Sequence, residues 1–287
     1  MNISGLHILL TYQCTFECDH CFVWGSPWQE GTLTLSQIET ILDQAQVAGV
    51  EEIYFEGGEP FLYYAVLLRA VDMAKEMGFQ VGIVSNAYWA QSREDALEWL
   101  RPFCGKLVDL SVSSDLYHYS EELSHQAQNA TAAAQELGIP VGTISIAQPE
   151  ARDSSIMYRG RAWQVLVPRT EQRTDWESLD TCPYEDLRDP GRIHLDPLGN
   201  LHICQGISIG NLFERPLVEI LTEYDPEAHP ICGPLLRGGP AALVRAYDLP
   251  HGSDYADACH LCYEARLALR GRFPEVLGPD QMYGVGL

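Results

Sequence analysis

Apolar and polar positions alternate in blocks along the first half of the chain. Residues 3–10 form an apolar run of strand length, broken by a polar, cysteine-bearing loop. Ile38, Ile41, Leu42 and Ala45 then recur at helical spacing behind Ser36-x-x-Glu39, which reads as a capping box, and Gly49 stops them. Residues 52–56 predict a second strand, and a helix over about 63–77 ends at Gly78. A third strand over 79–85 carries Asn86 at its end, and Ser92-x-x-Asp95 starts a helix bearing Ala96, Leu97 and Leu100. Residues 107–113 predict the fourth strand, closed by Ser114 and Asp115. Ser120 then caps a helix whose face is Ala127, Ala130, Ala134 and Leu137, and 139–146 is the fifth strand.

Strands alternating with helices predict an α/β fold, a parallel sheet covered by helices with right-handed crossovers. Cys14, Gly57, Asn86, Asp115 and Gln148 would then sit at one carboxyl edge, where parallel sheets gather their reactive groups. The best candidate for a sixth strand is 163–167. Periodicity is lost from Gln148 to about Thr181, which reads as a connecting segment, and Arg152, Arg159 and Arg161 within it could face an anionic group or simply lie solvated, the second being the preferred reading.

Composition narrows the class. A chain of 287 residues, 46% hydrophobic, can bury one large core plus a small appended unit. No apolar run approaches the roughly 20 residues of a membrane span, and no signal peptide pattern opens the chain, so the expected location is cytoplasmic, with no membrane partner. Nine cysteines in such a setting point to metal or redox sites rather than disulfides. A net charge of -22 repels phosphate backbones and argues against nucleic acid; it suits a cationic partner or simple solubility, and solubility is the plainer reading.

The chemistry centres on Cys14, Cys18 and Cys21, spaced C-x-x-x-C-x-x-C directly after the first strand. Three thiolates on one loop can hold three corners of a cubane [4Fe-4S] cluster and leave the fourth iron open. The same spacing would also suit zinc or one buried helix face. Gln13, Thr15, Glu17 and Asp19 are poor company for a buried helix, which favours the redox cluster. Gly57-Gly58-Glu59-Pro60 follows the next strand; it would let a ligand approach the backbone closely, or serve as a plain turn.

These two motifs, in order and each at a strand end, resemble the radical S-adenosylmethionine (SAM) superfamily, with His20 where that family commonly has an aromatic residue before the third cysteine. The resemblance implies a partial (β/α)6 barrel and reductive cleavage of SAM to methionine and a 5′-deoxyadenosyl radical that abstracts hydrogen from a substrate. It implies Cys14, Cys18 and Cys21 as the catalytic cluster's ligands. It also implies Gly57, Gly58 and Glu59 near the methionyl ammonium, with Asn86, Ser113 and Asp115 as further cofactor contacts. An Asx turn explains Asp115 equally well.

The second half carries Cys182-Pro183, two strands around Pro197-Leu198-Gly199-Asn200 ending at Cys204, then Gly210-Asn211-Leu212, a helix over 216–224 and Cys259-His260-Leu261-Cys262. That order resembles the Twitch or SPASM-type extension of radical SAM enzymes, which implies a second [4Fe-4S] cluster on Cys182, Cys204, Cys259 and Cys262. Zinc in a Cys₄ site is the chemical alternative, and Cys232 could replace Cys182. Cys104 reads as packing. Tyr117 and His118 read as a surface loop, and 280–284 as a frayed end.

The expected units are therefore 1–150 as the radical SAM core, 151–181 as a connector and 182–287 as the auxiliary unit. The leading function is an oxidoreductase that abstracts hydrogen from an unidentified substrate, a small molecule or a peptide, with the second cluster in electron transfer and an external donor such as flavodoxin or ferredoxin. The alternative is modification of a peptide or protein side chain, as in a maturase, although no leader-recognition domain is evident. A non-enzymatic iron-sulfur carrier is the third reading.

Overall fold

A computed structural model of the chain describes residues 1–114, 125–144, 156–171 and 173–286. Its first half follows the alternation: β1 (Gly5–Thr11), α1 (Leu35–Val47), β2 (Glu52–Gly57), α2 (Tyr64–Glu76), β3 (Gln80–Ser85), α3 (Arg93–Leu100), β4 (Leu107–Ser113), α4 (His125–Glu136) and β5 (Val141–Ile144). These five strands pair in parallel in the order β5-β4-β3-β2-β1. Local chemistry explains the boundaries. Thr34 and Gln37, not Ser36 and Glu39, form the capping box of α1, and Ser92 accepts from the Asp95 N–H to cap α3.

The predicted sixth strand is absent. Residues 161–165 form a short helix, α5 (Arg161–Val165), because Gly160 turns the chain at φ +60°, where its missing Cβ would lie 2.6 Å from Phe22 Cα. The strand beside β1 is instead β7 (Arg192–Leu195), which pairs with it in parallel from much later in the chain. β8 (Asn200–Cys204) and β9 (Ile207–Asn211) continue the same eight-stranded sheet as an antiparallel meander. β6 (Thr174–Asp175) and β10 (Asp254–Tyr255) form a separate ribbon. Three helices complete the chain: α6 (Leu217–Glu223), α7 (Cys232–Tyr247), broken at Gly238–Gly239, and α8 (Ala258–Leu269).

Side-chain alternation divides the sheet into two faces. Leu6, Ile8 and Leu10, Ile53 and Phe55, Val81 and Ile83, and Leu110 and Val112 are fully buried in the main core. Their neighbours His7, Glu52, Tyr54, Glu56, Asp109, Ser111 and His194 line a cavity on the opposite face. A parallel sheet covered on both faces would be apolar on both. This one keeps its second face polar because that face lines the cavity rather than packing against a covering helix.

Candidate functional site

The cavity measures about 680 Å³. Cys14, Cys18 and Cys21 line one side of it, and Gly57, Gly58, Asn86 and Ser113 lie at strand ends on the same wall. The Gly57–Gly58 backbone runs hard against the cysteine loop: Gly58 N–H donates to Thr11 O at 2.7 Å and Glu59 N–H to Gln13 O at 2.9 Å. Gly57 has φ +136°, and a Cβ on Gly58 would overlap Gln13 O. Asn86 reaches across from β3, its Nδ2 donating to Thr15 Oγ1 at 3.0 Å and lying 3.5 Å from Cys14 Sγ.

Glu59 does not reach the cavity. Its carboxylate is fully buried and accepts from the N–H groups of Asn86 (2.7 Å) and Phe61 (3.0 Å) and from the Ser85 hydroxyl. It fixes the strand ends that carry the site. Burial pushes its carboxyl up to about 7, against those hydrogen bonds, which favour the ionised form. Asp115, Tyr117, His118, Gln148, Arg152 and the cap Ser120 lie outside the described residues.

Arg159 and Arg161, expected in solvent, are 4% and 9% exposed. Arg161 donates to Cys18 O at 2.9 Å and Gly25 O at 2.8 Å, and its own N–H meets Cys21 O. Arg159 donates to the Cys204 sulfur at 2.8 Å and pairs with Glu185 at 3.3 Å. The alternating Arg-Gly-Arg run thus clamps both cysteine regions.

Cys182, Cys204, Cys259 and Cys262 line a second, smaller cavity with Arg159 and the buried Arg266. Burial pushes the Cys262 thiol up to about 12 and those of Cys204 and Cys259 upward, with the two guanidiniums opposing. Burial likewise takes Cys14 up to about 12. Four-coordinate zinc, with bonds of about 2.3 Å, would bring its thiolates to about 3.8 Å from one another. Among the described residues no three cysteine sulfurs lie mutually within 4.8 Å, so neither set has the close spacing of a four-coordinate zinc site. Cys232 is buried near this group, beside Tyr224, but does not line its cavity.

Two other expectations change. Cys104 is exposed rather than packed. The C-terminal segment is tied down, with Tyr283 donating to Gly206 O at 2.6 Å and Gln281 Nε2 to Val23 O at 2.9 Å, beside the cysteine loop. Sequence reasoning missed the polar row of His7, Tyr54, Glu56, Asp109 and His194. Its signal was alternation within strands, as in Glu52-Ile53-Tyr54-Phe55-Glu56.

The parallel α/β sheet, the three-cysteine loop on its carboxyl edge and the double glycine packed beneath that loop define an α/β enzyme built to hold a metal cluster beside a ligand cavity. A sequence model of the Radical SAM superfamily matches residues 8–154, just over half of the chain, and the chain belongs to that superfamily. Its cofactors are a [4Fe-4S] cluster and SAM, and the loop and cavity fit them. YydG of Bacillus subtilis, a putative peptide biosynthesis protein, is 29% identical over 120 residues, 41% of this chain and 38% of YydG. An S-adenosylmethionine-dependent nucleotide dehydratase of Fibrobacter sp. is 23% identical over 200 residues, 64% of this chain and 58% of that protein. The chain thus spans less than two thirds of either relative.

Among solved structures, BtrN in complex with AdoMet and 2-DOIA matches with a TM-score of 0.52 at 17% identity, covering 78% of this chain and 85% of that one. His-tagged anSMEcpe with bound AdoMet matches at 0.50 and 11% identity, covering 96% and 97%. At these identities the likeness is one of fold. No helix among the described residues is long and apolar enough to cross a membrane.

Proposed function

We propose that this enzyme cleaves SAM reductively at the Cys14–Cys18–Cys21 loop and removes hydrogen from a substrate held on the polar floor of the larger cavity. A second cluster, on Cys182, Cys204, Cys259 and Cys262, takes part in electron transfer. Bound cluster and SAM supply an alkyl radical strong enough to attack unactivated C–H bonds. The chain's own residues position and enclose: Gly57 and Gly58 admit the methionyl backbone, Asn86 and Ser113 line the wall beside it, and Arg161 holds the loop rigid.

The observation that carries the second cluster is the shared wall. Arg159, Tyr184 and Glu185 line both cavities, so an electron leaving a substrate in the larger has a short route to the smaller. Two buried guanidiniums beside four cysteines also favour an anionic centre there. In this reading residues 1–150 are the SAM-cleaving core, 151–181 the connector and 182–287 the auxiliary unit, with electrons arriving from an external flavodoxin or ferredoxin.

A small polar molecule is the leading substrate class; a peptide side chain is the second, favoured by the peptide-biosynthesis name of YydG. The test is anaerobic cluster loading with an iron count, then reduction in the presence of SAM. About eight irons and release of 5′-deoxyadenosine support the proposal, and about four irons sink the second cluster. Deuterium transfer from labelled candidates into 5′-deoxyadenosine identifies the substrate.

A further inference from the structure

Among the described residues, one group of three side chains brings metal-ligating atoms mutually within 4.8 Å: His7, Glu56 and His194. They come from three adjacent parallel strands. His7 on β1 is registered with His194 on β7 and with Tyr54 on β2, and Glu56 lies two residues beyond Tyr54 on the same face. None belongs to either cysteine set.

The donor geometry is that of a chelate. His194 Nε2 lies 3.1 Å from Glu56 Oε1, and His7 Nδ1 lies 3.4 Å from Glu56 Oε2. Metal–ligand bonds of about 2.1 Å place neighbouring donors about 3.0 to 3.4 Å apart in octahedral or tetrahedral coordination. Glu56 Oε1 is also buried, and the group it faces is the His194 ring rather than a backbone donor, so a cation bound between the two would satisfy both atoms.

The rings are held in place. His7 stacks on Tyr54 at 4.7 Å with planes 13° apart, and His194 stands edge-on to His7 at 5.1 Å. Phe22, next to Cys21, reaches the ring of His194 at 6.5 Å. The side chains are only 12–16% exposed, and what is exposed faces the larger cavity. Glu52 and Asp109 on the same lining add negative charge, with Arg192 opposing them.

We infer that His7, Glu56 and His194 bind a divalent transition-metal cation of the zinc or ferrous class, whose open positions face the cavity and anchor an oxygen or nitrogen donor of the substrate. Two imidazoles and one carboxylate leave such an ion with free coordination sites. The inference stands apart from the electron-transfer reading, which the iron count and 5′-deoxyadenosine release test.

The experiment uses the full chain with its iron-sulfur content loaded, dialysed against zinc alone, alongside Glu56→Gln and His194→Gln. The expected result is one zinc per chain beyond iron, with affinity lost by about 100-fold in both variants at unchanged iron content. X-ray absorption at the zinc edge should show a nitrogen and oxygen shell with the imidazole pattern. No zinc bound, zinc held by sulfur, or equal affinity in the variants would overturn the site. If the variants lose their iron and fold, the wild-type zinc spectrum decides alone.

Discussion

Arg159 donates a hydrogen bond from its buried guanidinium to the sulfur of Cys204 at 2.8 Å, while Arg161, two residues on, donates to Cys18 O at 2.9 Å, so this short run ties the two cysteine regions. Arg159 also forms part of the wall between the two cavities. A cation fixed there favours the more negative, reduced state of any centre on Cys204. Arg159→Gln should therefore lower the second centre's reduction potential, read by a redox titration followed by electron paramagnetic resonance. Loss of a buried charge partner should also cost about 3 kcal/mol of stability, read by urea unfolding.

Gly58 is held against the cysteine loop by backbone, so no neighbour can rotate away to admit a side chain. Gly58→Ala should destabilise the fold by about 3 kcal/mol and deplete iron at the first site. Gly49→Ala is the control: its φ is +77° with nothing within 4 Å, so it should cost about 1 kcal/mol and leave iron loading intact. Iron assay and thermal melts separate the two outcomes.

Glu59 gives a pH signature. Its carboxyl is raised from 4.5 to about 7, so between those values the folded protein keeps a proton the unfolded chain has released. The group's contribution to stability is complete below pH 4.5, falls as pH rises through that window and levels off above about 7, a change of roughly 3 kcal/mol. Glu59→Gln should flatten that slope. Urea midpoints at pH 5 and pH 8, compared between the two proteins, provide the check; parallel slopes would refute it.

Tyr12, two residues before Cys14, donates to Asp196 Oδ2 at 2.8 Å, and His202 Nε2 meets the same oxygen at 2.9 Å, all fully or almost fully buried. The trio joins the cysteine loop to the β8 strand that carries Cys204. Tyr12→Phe should cost about 1–3 kcal/mol by leaving a buried carboxylate short of a donor. Urea unfolding measures that loss. Asp196→Asn should cost more, because His202 and Asn200 also depend on Asp196.

Local information was enough for the first five strands, the helices between them and the cysteine and double-glycine loops. Each depends on spacing, caps and glycines within a few residues, and Leu107–Ser113 was readable to its ends. The grouping of Cys182, Cys204, Cys259 and Cys262 was legible as a motif order, and the folded chain lines one cavity with them.

The rest needed the folded chain. β7 pairs with β1 across more than half of the sequence, a contact no local period encodes, so the sixth parallel strand was sought in the wrong segment. Arg159 and Arg161 look like surface charges until the packing of Phe22, Cys18 and Cys204 surrounds them. His7, Glu56 and His194 meet only because three strands from distant positions align in register. The sequence by itself set which residues could form strands, turns and cluster loops, since those preferences are local free energies. Only the tertiary structure decided which buried polar groups became partners, since burial and pairing depend on what distant parts of the chain bring alongside.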